Sequence, residues 1–151
     1  MKKFLIPFLL LSMTLFSGCS KDQVLDTYNS VLQAAGSVQL TSSFSLQGER
    51  KGGIDDFTGT YQAEYDDFSG TEYLFGGTFV EREAGKDVFV QCNLEITSGT
   101  AQLFWTYGNH EVETLLEVSG RYSETLTLPE GGVYFGVIGE GFRGTIDLCI
   151  E

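Results

Sequence analysis

Basic residues are scarce in this chain: 9 Lys and Arg stand against 21 Asp and Glu, a formal charge of −12 over 151 residues. Nucleic acid and anionic lipid headgroups are bound by neutralising their charge with Lys and Arg, so a surface this acidic repels both, and no nucleic-acid partner is expected. Cysteine, proline and histidine are also few, at 3, 2 and 1. A zinc site draws on several His or Cys, so His110, alone beside Asn109 in an expected turn, reads as a loop residue. There is no G-x-S-x-G elbow, and a Ser-His-Asp arrangement would have to use His110 itself. The chain is therefore read as non-enzymatic, with no catalytic residue and no cofactor assigned. A hydrolase is the minor reading, because any two of the 21 acids can meet in space as a carboxylate pair.

What is present suits one globular domain: 42% hydrophobic and 13% aromatic residues supply enough apolar side chain for a packed core at this length. The N-terminus stands apart. Met1-Lys2-Lys3 precedes an apolar stretch from Phe4 to Phe16 that is broken only by Pro7, Ser12 and Thr14, the basic and hydrophobic regions of a signal peptide. The run is too short for a bilayer core, which takes about 20 apolar residues to span.

Leu15-Phe16-Ser17-Gly18-Cys19 resembles the lipobox of bacterial lipoproteins, in which the signal peptide is cut just before a Cys that is then acylated. The match carries the small pair Ser17-Gly18 before Cys19 and departs at Phe16, where the family usually has Leu. It covers only the leader. The resemblance implies removal of residues 1–18, lipid attachment at Cys19, and an extracytoplasmic protein whose first partner is a bacterial membrane. Acyl chains hold such a protein at the surface by burying methylenes at about 0.8 kcal/mol each. Loss of the leader removes Lys2 and Lys3, so the side-chain charge goes from −12 to −14.

Residues 19–36 are expected to form the anchored N-terminus and a short helix. Ser20-Lys21-Asp22-Gln23 fits a capping box, Val24, Leu25, Tyr28, Val31, Leu32 and Ala35 recur at helical spacing, and Gly36 sits where a C-cap would fall. Over 37–151 the period changes to two. Alternating runs at Val38–Leu46, Phe57–Tyr65, Tyr73–Glu81, Val88–Ile96, Ala101–Tyr107, Val112–Val118 and Tyr122–Leu128, then a terminal hairpin of Val133–Ile138 and Phe142–Ile150, make about nine short strands. Gly48–Asp56 reads as a loop. The fold class expected is all-β: an antiparallel β-sandwich, jelly-roll-like, with a short N-terminal helix.

Four segments read F-x-G-T: Phe57–Thr60, Phe68–Thr71, Phe75–Thr78 and Phe142–Thr145. Their irregular spacing excludes a repeat architecture. A glycine in a strand leaves bare backbone that a neighbouring ring can cover, so the motif is read as structural. Gly139-Glu140-Gly141-Phe142-Arg143-Gly144 matches the dinucleotide fingerprint, but Thr145–Glu151 alternates as a strand where a helix should follow, so it reads as a hairpin turn.

Cys92 shares a face with Val88, Val90, Leu94 and Ile96, whereas Cys149 lies opposite to Ile146, Leu148 and Ile150, so a Cys92–Cys149 disulfide is out of phase and not favoured. Asp55-Asp56 and Asp66-Asp67 flank one strand, and Asp66, Asp67 and Glu72 are the candidate ligands for a Ca²⁺ ion, though without the spacing of an EF-hand loop. Trp105, Tyr107, Tyr61 and Tyr65 are the candidate ligand-binding rings, since aromatics on a rigid sheet can stack on sugar faces. Trp105 and Tyr107 also share phase with Ala101 and Leu103, which points to a core role instead. The function expected is a lipid-anchored module that binds glycan or an envelope protein. The alternative is a structural or accessory envelope lipoprotein with no small ligand.

Overall fold

The structure is a computed structural model that describes residues 40–108 and 111–151. The expected leader, Cys19, the helix within 19–36 and His110 lie outside the described residues.

All six described strands belong to one antiparallel sheet: β1 (Gly48–Gly52), β2 (Gly59–Phe79), β3 (Asp87–Tyr107), β4 (Glu111–Leu116), β5 (Gly120–Thr127) and β6 (Gly131–Ile150). Their order is β1-β2-β6-β3-β4, with β5 also on β3. β6, last in the chain, thus lies between β2 and β3, and β5 and β4 share the other edge of β3, along Asp87–Leu94 and Leu103–Tyr107.

Six strands replace the nine expected because three of them each run through two alternating segments. β2, β3 and β6 are 21, 21 and 20 residues long. Ser69-Gly70, Ser98-Gly99 and Gly139–Gly141, which look like turns, lie inside these strands, where the register shifts by bulges: Tyr65/Phe68 and Phe68/Gly70 in β2 against β6, Ile96/Ser98 and Ser98/Thr100 in β3 against β6. The terminal hairpin is accordingly one strand, β6. The segment expected as strand 38–46 is a turn where it is described, closed by the Ser45 amide on the Ser42 carbonyl at 2.9 Å, with Phe44 fully exposed. Ser42-Ser43 supplies local hydrogen bonding that competes with a ladder. Conversely, the segment expected as loop pairs with β2 as β1, Gly48 opposite Ala63 and Gly52 opposite Gly59.

The bulges let the long strands double back. Residues 59 and 75 would stand roughly 50 Å apart in a straight strand at about 3.3 Å per residue. Instead the Tyr61 and Tyr65 hydroxyls reach the Glu72 carboxyl, at 3.0 and 2.5 Å, and the Gly76 amide bonds the Asp56 carbonyl at 2.8 Å. Asp67, with φ 55°, sits at the bend. One core cluster therefore draws on both halves of each long strand: Tyr61, Tyr65, Val90, Leu94, Ile146 and Leu148 from one, Leu74, Leu103, Phe135 and Val137 from the other.

The F-x-G-T motifs tie these halves together. A Cβ on Gly59 would lie 2.6 Å from the Phe75 ring, and one on Gly77 would lie 3.8 Å from the Phe57 ring, so the first and third motifs cover each other's glycine. Phe68 lies over Gly70 and Phe142 over Gly144, each within its own motif, at 3.5 and 2.9 Å. Every ring in the set shields the bare backbone of a motif glycine, and two do so across the fold-back.

The alternation of buried and exposed residues is clean only in the half formed by β1, β5 and the outer parts of the long strands. There Val88, Val90, Cys92 and Leu94 are buried and Asp87, Gln91, Asn93 and Glu95 exposed. In the other half, Val133 to Val137 of β6 are all buried, so both faces of that strand are covered.

Candidate functional site

The residues nominated for chemistry do not converge. Tyr61 and Tyr65 belong to the core, both hydroxyls donating to Glu72 with their oxygens 3.2 Å apart. Burial, followed by the Glu72 carboxyl, pushes both phenols well above their ordinary range, so they remain protonated donors. Trp105 is buried against Phe135, the rings stacked at 5.9 Å, and only Tyr107 reaches the rim, 38% exposed and donating to Glu113 at 3.1 Å. The expectation of a sugar-stacking platform on these four rings is corrected: Tyr61, Tyr65 and Trp105 point inward and fill the core, and of the four Tyr107 is the one exposed at the rim.

The acids expected to share a cation are likewise separated. Glu72 is buried and accepts from the Gln47 amide at 2.7 Å as well as from the two tyrosines. Asp66 and Asp67 are exposed at the bend, and Asp66 pairs with Arg143 at 3.2 Å. The bulges between Tyr65 and Gly70 turn Glu72 into the core while the two aspartates face water. No group of three or more His, Cys, Asp or Glu that could hold a metal occurs among the described residues. Cys92 and Cys149 are both free. Cys149 lies opposite Gln91, and Cys92 opposite Leu148, so the two thiols leave the sheet on opposite faces.

Concave surface is found instead where the loops gather. The β1–β2 loop (53–58) and the β2–β3 loop (80–86) enclose a hollow of about 440 Å³ lined by Ile54, Asp55, Asp56, Phe57, Phe79 and Glu81 to Ala84. Phe57 and Phe79 meet edge to face at 5.1 Å and form its floor. A second hollow of about 320 Å³ lies between Lys51–Ile54 and the chain end Cys149–Glu151. Ile54 lines both, and among the described residues it and Val80 are the most exposed large apolar side chains after Phe44, at 79% and 76%.

The walls of the first hollow are fixed by hydrogen bonds. Asp55 accepts from the Phe57 amide two residues on, at 3.0 Å, an Asx turn that starts the approach to β2. Its other oxygen takes the Arg82 Nε at 2.5 Å. Arg82, its side chain only 4% exposed, also donates to the carbonyls of Gly85 and Asp87, at 3.0 and 3.3 Å. Three hydrogen bonds from one guanidinium, one of them across to Asp55, thus lock one loop to the other. Three further carboxylates, Asp56, Glu81 and Glu83, are exposed around the opening, and none has an ion-pair partner among the described residues. The sequence marks this place only by the pair Asp55-Asp56 and the run Glu81-Arg82-Glu83; that the two loops face one another follows from the fold-back of β2, which alternation does not reveal.

The outer face of β1-β2-β6-β3-β5 is polar. Across it run Lys51, Thr60, Cys149, Gln91 and Ser123 in one row and Glu49, Gln62, Asp147, Asn93 and Arg121 in the next. Burial, then the carboxylates of Glu151 and Asp147, raises the Cys149 thiol, which keeps it a weak nucleophile. Compared with known proteins, the chain matches no family model and no curated sequence.

Proposed function

We propose that the protein is an extracytoplasmic lipoprotein, anchored to a bacterial membrane through Cys19, whose domain is a two-layered, jelly-roll-like β-sandwich that binds a partner protein and carries no catalysis. The sandwich is supported by the shared core of the two halves of β2, β3 and β6 and by the placing of β6 between β2 and β3. The anchor is supported by Ser17-Gly18-Cys19 after the apolar leader.

Protein is favoured over glycan because Tyr61, Tyr65 and Trp105 are buried, whereas the exposed apolar side chain of Ile54 lines a hollow already fixed by the Arg82–Asp55 pair. That last observation carries the reading: apolar side chains held in water beside a rigid concavity gain most by being covered. Photo-crosslinking amino acids placed one at a time over the exposed surface test it in living cells. Discrete adducts from some positions, with a mature N-terminus at acylated Cys19 by mass spectrometry, are expected. An absence of adducts from every position refutes the binding role, and a mature protein that does not begin at acylated Cys19 refutes the anchor.

A further inference from the structure

Resting on the protein-binding reading above, we propose that the hollow between the β1–β2 and β2–β3 loops receives a lysine or arginine side chain from an extended, partly apolar segment of the partner. Its chemistry is two-layered. The floor is apolar, built from Phe57 and Phe79, and the exposed Ile54 and Ala84 add apolar surface to its walls. The rim is anionic, carrying Asp56, Glu81 and Glu83. Arg82, the cation among the lining residues, is turned into the protein and consumed by Asp55, Gly85 and Asp87, so it neutralises nothing at the opening.

A long basic side chain matches both layers, because its methylene stem lies on apolar surface while its charged head stays at the wet edge. An anionic ligand would be repelled by the carboxylates, and a purely polar one would leave the exposed Ile54 uncovered. A bare divalent cation would find an apolar floor where it needs oxygen ligands. The hollow of about 440 Å³ is ample for one such side chain and too open to enclose a small amine fully, which leaves Ile54 to be covered by the neighbouring residues of the same segment.

The probe is a capped heptapeptide with two lysines flanked by leucines, titrated into the isotopically labelled mature domain with amide shifts followed by NMR. The expected result is a set of shifts confined to residues 54–57 and 79–85, weakened by salt. Glu81→Gln together with Glu83→Gln is expected to weaken binding about tenfold, whereas Glu95→Gln together with Asp147→Asn, an equal loss of charge on the outer face, leaves it unchanged. Equal weakening in both variants reduces the effect to net charge and overturns the site. So does equal binding of a peptide with norleucine in place of lysine, or of butylamine or Ca²⁺ alone at the same residues. In cells, adducts that form elsewhere but not from position 54 refute this site and leave the binding role standing; no adducts anywhere refute both.

Discussion

Glu72 forms no ion pair among the described residues and is held by three donors: the Tyr61 and Tyr65 hydroxyls and the Gln47 amide. Removing one of them leaves a buried oxygen short of a partner, which costs the desolvation of that oxygen as well as the bond. Tyr65→Phe, which deletes the 2.5 Å bond and little volume, is expected to lower stability by about 1 to 3 kcal/mol in urea unfolding. An unchanged urea midpoint would show that Glu72 is satisfied without it. The same neighbourhood sets an alkaline limit. Burial, with a smaller push from Asp147, raises the Cys92 thiol from 9.0 to about 12, and burial with Glu72 raises Tyr61 and Tyr65 above 10.0. Between those limits the unfolded chain gives up protons that the folded chain keeps, so stability is full below about pH 9 and falls as pH rises toward 12. Cys92→Ala should cost about 1 kcal/mol at neutral pH and remove the part of the decline that begins near pH 9. A decline of the same shape in that variant would assign the limit to the tyrosines alone. The core role of Trp105 was legible from its phase with Ala101 and Leu103, whereas Tyr61 and Tyr65 read as binding rings. Their partner Glu72 was hidden because the one extra residue that β2 carries between Tyr65 and Phe68 inverts the parity on which such a reading depends.

At the scale of the elements, alternation located both halves of the long strands, missed β1, and misjudged where strands end. Glycine and serine clusters at 69–70, 98–99 and 139–141 have the composition of turns, yet each marks a bulge in a strand that continues. The two cases differ in long-range contacts: a bulge keeps the partner strand on both sides of it, and a single sequence carries no record of the partner. The F-x-G-T reading fared better because it rests on a local fact, the bare backbone of a glycine. Gly144 adopts φ 150°, and a Cβ there would run into the Glu95 carbonyl oxygen as well as the Phe142 ring at 2.9 Å. Gly85 is also in the left-handed half of the map, φ 90°, but in open space. Gly144→Ala is therefore expected to cost about 3 kcal/mol or more, and Gly85→Ala only the backbone strain, about 1 kcal/mol. Comparable losses in the two variants, measured as shifts in urea midpoint, would mean that ring and carbonyl at Gly144 yield readily and that the motif does not fix register.

For the molecule as a whole the governing quantity is the excess of acid, −12 over the full chain and −14 for the processed lipoprotein proposed above. It is not balanced locally. The exposed pairs Lys51–Glu49, Lys86–Glu130 and Arg143–Asp66 are solvated contacts of 3.7, 3.3 and 3.2 Å, worth little each. The buried pair, Arg82–Asp55, is shielded from solvent ions by its own burial. Added salt should then weaken the few exposed attractions slightly and the many repulsions considerably, since a compact chain crowds like charges more than an unfolded one does. The mature domain is expected to become more resistant to urea as NaCl is raised from about 20 to about 300 mM, a range over which the screening length shortens from roughly 20 to 6 Å. Urea is uncharged and leaves ionic strength free to vary, so the midpoint reads this directly. A midpoint that falls with salt would mean that the surface pairs outweigh the repulsion. In that case the acid around the loop-end hollow would be locally neutralised and no longer free to draw a basic side chain.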